Sequence, residues 1–132
     1  MKDETLAWLS YASENFDVSK LALKHGHLNS SLQNSQQAVE KYLKAIIVEK
    51  DFGFKKTHSI RELVMMLSSR GITVNLSDDE IDLMDTIYVP SKYPAYSALP
   101  DAMPDQKICE DSLKIVEKTM VLTTEILQID EK

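Results

Sequence analysis

Glycine and proline are scarce. The 132 residues hold 3 Gly and 4 Pro, and all four prolines fall between positions 90 and 104. With so few breakers elsewhere, long uninterrupted elements are expected. The single cysteine, Cys109, excludes an internal disulfide and a cysteine-rich zinc site, and it reads as a small apolar residue inside a helix. Of the 15 Lys and Arg, only Arg61 and Arg70 are arginines. That is a thin supply of the forked guanidinium that grips phosphate at two points. No apolar run approaches the length of a bilayer span. The opening Met1-Lys2-Asp3-Glu4-Thr5 lacks the apolar stretch of a secretory leader. The expectation is a soluble cytoplasmic protein without a membrane partner. A formal net charge of −6 argues against strong general binding to nucleic-acid backbones.

What is present is helical periodicity over 43% hydrophobic residues, in a chain of one-domain size. Leu6, Leu9, Ala12, Phe16 and Leu23 predict a helix over 3–25, with Gly26 as a left-handed cap. A second helix is expected over 31–50, capped by Asn29 or Ser30. Leu32, Val39, Leu43, Ile46 and Ile47 form its apolar stripe. Ser35, Ala38, Tyr42 and Ala45 form an adjoining, mostly small stripe that allows close approach of a neighbour. Asp51-Phe52-Gly53 ends it. Residues 60–70 predict a third helix, opened by a Ser59/Glu62 capping box and closed by Gly71.

Ser77 and Glu80 repeat the capping box, with Leu76 and Ile81 at hydrophobic-staple spacing, for a shorter helix to about Tyr88. Residues 89–104 hold the prolines and read as irregular. Residues 105–129 predict a final long helix, apolar around enough of its girth to be buried on more than one side. It is expected in the middle of the bundle or in a subunit interface. Ile72-Thr73-Val74-Asn75-Leu76 alternates too briefly for a sheet. The fold class is all-α: an antiparallel helical bundle of four main helices plus one short one, in a single domain over 1–132.

Most enzyme templates fail. There is no Gly-rich phosphate loop, Walker run, HExxH or GxSxG. Asp78, Asp79, Glu80, Asp82 and Asp85 sit where capping and solvation explain them. His25 and His27 close a helix and lack further ligands nearby, so no metal site is expected. Glu40 and Lys44, four apart, suit a surface ion pair. Lys41 and Lys44 are instead available as a basic strip near Lys92. His58, behind Lys55-Lys56-Thr57, reads either as part of the Ser59 cap or as a polar ligand contact. Lys92 and Tyr93 read either as an anion contact with a stacking ring or as a proline-fixed loop.

Two segments carry a family resemblance. Ser35-Gln36-Gln37-Ala38-Val39-Glu40-Lys41-Tyr42-Leu43-Lys44-Ala45, followed by Lys56-Thr57-His58-Ser59, resembles the HEPN family of small helical proteins associated with nucleotides. Tyr88-Val89-Pro90-Ser91-Lys92-Tyr93-Pro94 resembles the non-toxin branch, which commonly reads Tyr, three residues, Arg-Tyr-Pro; here Lys92 stands at the Arg. HEPN nucleases carry an Arg, four to six intervening residues, then a His. That spacing places a phosphate-stabilising cation and a proton shuttle on one helix face. His25, His27 and His58 all precede both arginines, so the motif is absent and no catalytic residue is assigned.

The resemblance implies a homodimeric nucleotide- or partner-binding module, without a resident cofactor. The implied partner is a minimal nucleotidyltransferase in a toxin–antitoxin-like pair. The groove is expected to be lined by Lys41, Lys44, His58, Tyr88, Lys92 and Tyr93. Excess apolar surface on 108–129 and the small stripe on 35–45 point separately to dimerisation. Two alternatives stay open: a ribonuclease with a non-standard site using His58 and Lys92, and a purely structural helical adaptor.

Overall fold

The computed structural model describes residues 1–53, 56–92 and 104–128, with side chains left undescribed for 88–92. Five helices follow in order: α1 (Asp3–Lys24), α2 (Leu28–Glu49), α3 (Ile60–Ser69), α4 (Asp78–Lys92) and α5 (Gln106–Leu127). The described residues contain no strand. The fold is an all-α bundle, as the periodicity implies.

The helix ends follow from local chemistry. Gly26 (φ 76°) and Gly71 (φ 85°) adopt the left-handed conformation that releases a chain from a helix. The next amides then turn back, His27 N–H to the Ala22 carbonyl at 2.8 Å and Ile72 N–H to that of Leu67 at 2.9 Å. Asp51 takes the same conformation after α2 (φ 58°), and Phe52 N–H reaches the Ile47 carbonyl at 3.0 Å. Helix α4 opens with the complete reciprocal box: Glu80 N–H donates to Ser77 Oγ at 3.1 Å and Ser77 N–H to Glu80 Oε1 at 2.9 Å. Asp105 caps α5 through Ile108 N–H at 2.8 Å.

Two boundaries differ from expectation. Helix α2 begins at Leu28, with neither Asn29 nor Ser30 as its cap; His27 holds that place without a side-chain bond. The Gly26 reversal aligns the backbone directly, so a side-chain cap is not what sets the start. Helix α4 runs on through Pro90 to Lys92. A proline withholds one N–H from the carbonyl four residues back, which weakens a helix locally without ending it at the preceding residue.

Helix α2 is the central helix. It packs against each of the other four, most extensively against α1. Thirteen of its 22 residues are buried, against six of the 22 in α5. Of the two places expected for α5, the middle of the bundle or a subunit interface, the first is therefore corrected. Its wide apolar arc is shared among α2, α1 and α4, and Leu122, Ile126 and Leu127 stay only partly buried. Val39, Leu43, Ile46, Leu63, Leu67, Met84 and Val116 are fully enclosed in one continuous core. Each such side chain is worth about 1.5–3 kcal/mol relative to exposure.

The small stripe of α2 does bring a neighbour close, and that neighbour is α1 of the same chain. Ser19 Oγ donates to the Ser31 carbonyl at 2.7 Å and lies 2.7 Å from Ser35 Oγ, all three serines being fully enclosed. The stripe is therefore occupied inside the protomer and unavailable to a second copy. Near the chain start, the Lys2 ammonium bonds the Val48 carbonyl at 2.9 Å and pairs with Asp51, tying α1 to the end of α2.

Candidate functional site

Gln36, Glu40 and Lys44 follow one another at four-residue intervals, so they form a single ladder along one side of α2. In isolation the ladder would sit on a solvated face. Here it is covered, with Gln36 only 1% exposed and the Glu40 and Lys44 side chains 3% and 9% exposed. Lys44 Nζ bonds Glu40 Oε2 at 2.9 Å and lies 5.4 Å from the centre of the Trp8 ring, a cation–π contact across α1 and α2. The expected surface pair is thus present as a pair but buried. A charge pair taken out of water is costly unless its remaining bonds are met.

The other partner comes from the segment before α3. His58 Nδ1 lies 3.2 Å from Glu40 Oε1 and 3.4 Å from Oε2. Gln36 Nε2 donates to the His58 carbonyl at 3.2 Å and to Glu40 Oε1 at 3.4 Å. Gln37 Nε2 in turn donates to Gln36 Oε1 at 2.8 Å, which orients that amide. One carboxylate is thereby held between an ammonium and an imidazole, and the imidazole remains 55% exposed. Of the two expected roles, the cap is filled by Ser59 rather than His58. Ser59 Oγ caps α3 through Glu62 N–H at 3.2 Å, while His58 turns to α2.

Asp85 anchors that segment from the other side. Its carboxylate accepts Ile60 N–H at 2.6 Å, Arg61 N–H at 3.2 Å and the Ser59 hydroxyl at 3.2 Å. A negative group on the first turn of α3 also suits the helix dipole. Arg61 is directed away from His58, onto Asp82 at 2.6 Å and Asp78 at 3.3 Å. Arg70 lies over the Phe52 ring at 5.3 Å.

Of the six predicted site residues, Lys44 and His58 converge directly, on Glu40. Lys41 is adjacent on α2 but bonds Asn15 Oδ1 at 2.7 Å, on the α1 side. Burial lowers its pKa, helped by Lys44 and opposed by Glu40 and Glu14. Tyr88 and Lys92 lie on the last turns of α4, a helix that packs on α2, and their side chains fall outside the described ones. Tyr93 falls outside the described residues. Sequence reasoning missed Gln36, Glu40, Trp8 and Asp85 as site components. The four-residue spacing of the ladder was visible, but it is equally the signature of a solvated helix face.

An all-α bundle with a polar ladder buried along its central helix defines the class of protein. The particular family follows from comparison: the HEPN domain matches residues 5–126, and the chain belongs to the HEPN domain family. Among solved structures, TT1696 from Thermus thermophilus is similar at 24% identity, with 95% of this chain and 99% of that one covered and a TM-score of 0.77. ST0689, an archaeal HEPN homologue, is similar at 21% identity, with 96% and 99% covered and a TM-score of 0.68. No curated protein matches the chain.

Proposed function

We propose that this HEPN domain is a docking module: a homodimer that binds a nucleotide or a partner protein and does not cut RNA. In this reading its partner is a minimal nucleotidyltransferase in a toxin–antitoxin-like pair. The observation that carries it is the separation of the two cation types. The Arg61 guanidinium is engaged by Asp78 and Asp82, Arg70 rests on Phe52, and His58 is fixed on Glu40. Both arginines are engaged by other groups, whereas charge stabilisation coupled to proton transfer at one phosphate requires a cation beside an imidazole.

Calorimetric titration with ATP and other nucleotides should give saturable heat. Absence of heat across the whole set favours the adaptor without a small ligand. Light scattering at micromolar concentration should report a dimer. Tyr11, Val18 and Leu21 lie exposed on α1 and offer apolar surface for it, the small stripe of α2 being already covered. Co-expression with a nucleotidyltransferase encoded next to this gene should give a co-purifying complex.

One specific observation favours a rival. A carboxylate at Nδ1 orients an imidazole as a base, and Glu40 stands at His58 in that manner. RNA incubated with rigorously purified protein should stay intact; cleavage abolished by His58→Ala would replace the docking reading with a non-standard ribonuclease.

A further inference from the structure

We infer that Lys41 is an acylation site: its side-chain amine, fixed in the seam between α1 and α2, attacks the carbonyl carbon of acyl phosphates in preference to the exposed lysines of the chain.

The partner of the amine sets it apart. Among the described residues three lysines are not exposed: Lys41, Lys44 and Lys118. Glu40 holds Lys44 at 2.9 Å and Glu80 holds Lys118 at 2.8 Å. A carboxylate at that distance favours the charged form, and a protonated amine has no lone pair to give. Lys41 meets an amide instead. Its Nζ donates to Asn15 Oδ1 at 2.7 Å, and Asn15 Nδ2 donates onward to Asn34 Oδ1 at 2.9 Å. This relay fixes the nitrogen in place without supplying a negative charge. A solvated lysine must give up rotamer freedom to reach a defined attack geometry, whereas Lys41 has already done so.

The charged groups around the seam divide. Burial is the largest influence on Lys41 and works against its ammonium, as does Lys44 one turn away. Glu40 on α2 and Glu14 on α1 oppose them, and the balance leaves the amine below its ordinary 10.5. Glu40 is itself engaged by Lys44 and His58. The Tyr11 ring, its centre 5.7 Å from Nζ, has a further part. Positive charge develops on the nitrogen as it adds to a carbonyl, and the ring face and Asn15 Oδ1 are both placed to meet it.

In the step itself, the free amine bonds to the acyl carbon and the carbon–oxygen bond to phosphate breaks. Phosphate leaves with the electron pair, and the nitrogen releases its proton to water. Acyl phosphates are the class named because their leaving group departs without a general acid. The product is a neutral amide whose N–H can still bond Asn15, so the fold accommodates it.

Acetyl phosphate is the probe, with the whole chain at pH 7.5 and initial acetylation rates read site by site by mass spectrometry. Lys24, Lys50, Lys56 and Lys114 are exposed and serve as internal references. Each unit of lowered pKa gives about tenfold more free amine near neutrality, and partial burial takes back some of that, so Lys41 should react at least about threefold faster than their mean. Its rate should also level off at a lower pH than theirs. Asn15→Asp puts a carboxylate at the amine, and should bring Lys41 down to the reference rate or below while the four references stay unchanged. A Lys41 rate equal to or below the references in the unaltered chain overturns the inference, as does a shared pH profile. Undiminished labelling of Lys41 in a folded Asn15→Asp protein does so too. The rate ratio and the pH profile decide the matter even where that variant fails to fold.

Discussion

Two sides of one helix behave differently. The side of α2 carrying Val39, Leu43, Ile46 and Ile47 meets the core with apolar side chains alone, all at most 2% exposed. The ladder of Gln36, Glu40 and Lys44 is buried almost as deeply, yet it is made of an amide and two charges. The first side needs only to fit, because apolar burial is non-directional. The second must be matched bond by bond, by Trp8, His58 and Gln37. A buried ion pair is weak evidence for stability, and this one also fixes the position of His58.

That contrast is most severely strained by Glu40→Ala. It strands the Lys44 ammonium in the interior, and chemical denaturation should show a loss of about 3–5 kcal/mol. Leu43→Ala on the apolar side should cost about 3 kcal/mol through lost contact and a cavity. Asp85→Ala removes three bonds from the start of α3 and should cost about 1–2 kcal/mol in the same assay. It should also loosen the segment that presents His58, visible as faster amide exchange at Ile60 and Arg61.

A smaller effect is expected at Glu80. Burial works to raise its carboxyl, but Lys118 and the Ser77 amide outweigh it and hold the group below its ordinary 4.5. A depressed carboxylate contributes stability above its unfolded-state value. That contribution is lost as pH falls through the lower folded-state value. Glu80→Gln should remove that contribution at neutral pH and flatten the acid side of the stability profile below pH 4.5. The smallest change in stability is expected from Glu40→Leu/Lys44→Met. Replacing a buried pair with apolar groups of similar size is often neutral or stabilising.

Much of the architecture was legible in the residues. The caps at Ser59 and Ser77, and the reversals at Gly26 and Gly71, depend on neighbours within a few positions, so local chemistry suffices to place them. The end of α4 was less legible, because a proline lowers helix stability by a bounded amount that the rest of an element can outweigh. The site was half legible. Lys44 and His58 were picked out, but Glu40, which joins them, looked like a partner on a wet helix surface. Nothing in a four-residue spacing tells whether another helix will cover it.

The order of residues alone thus determined most helix ends, though not the start of α2 or the end of α4, which faces are apolar, and that no guanidinium precedes an imidazole by a turn or two along one helix. Those properties are set by short-range steric and hydrogen-bonding rules. Tertiary structure decided that α2 rather than α5 is central, that the small stripe is occupied by α1, and that Glu40 is enclosed between Lys44 and His58. Burial is a property of the whole assembly, because the dielectric around a charge depends on chain segments distant in sequence.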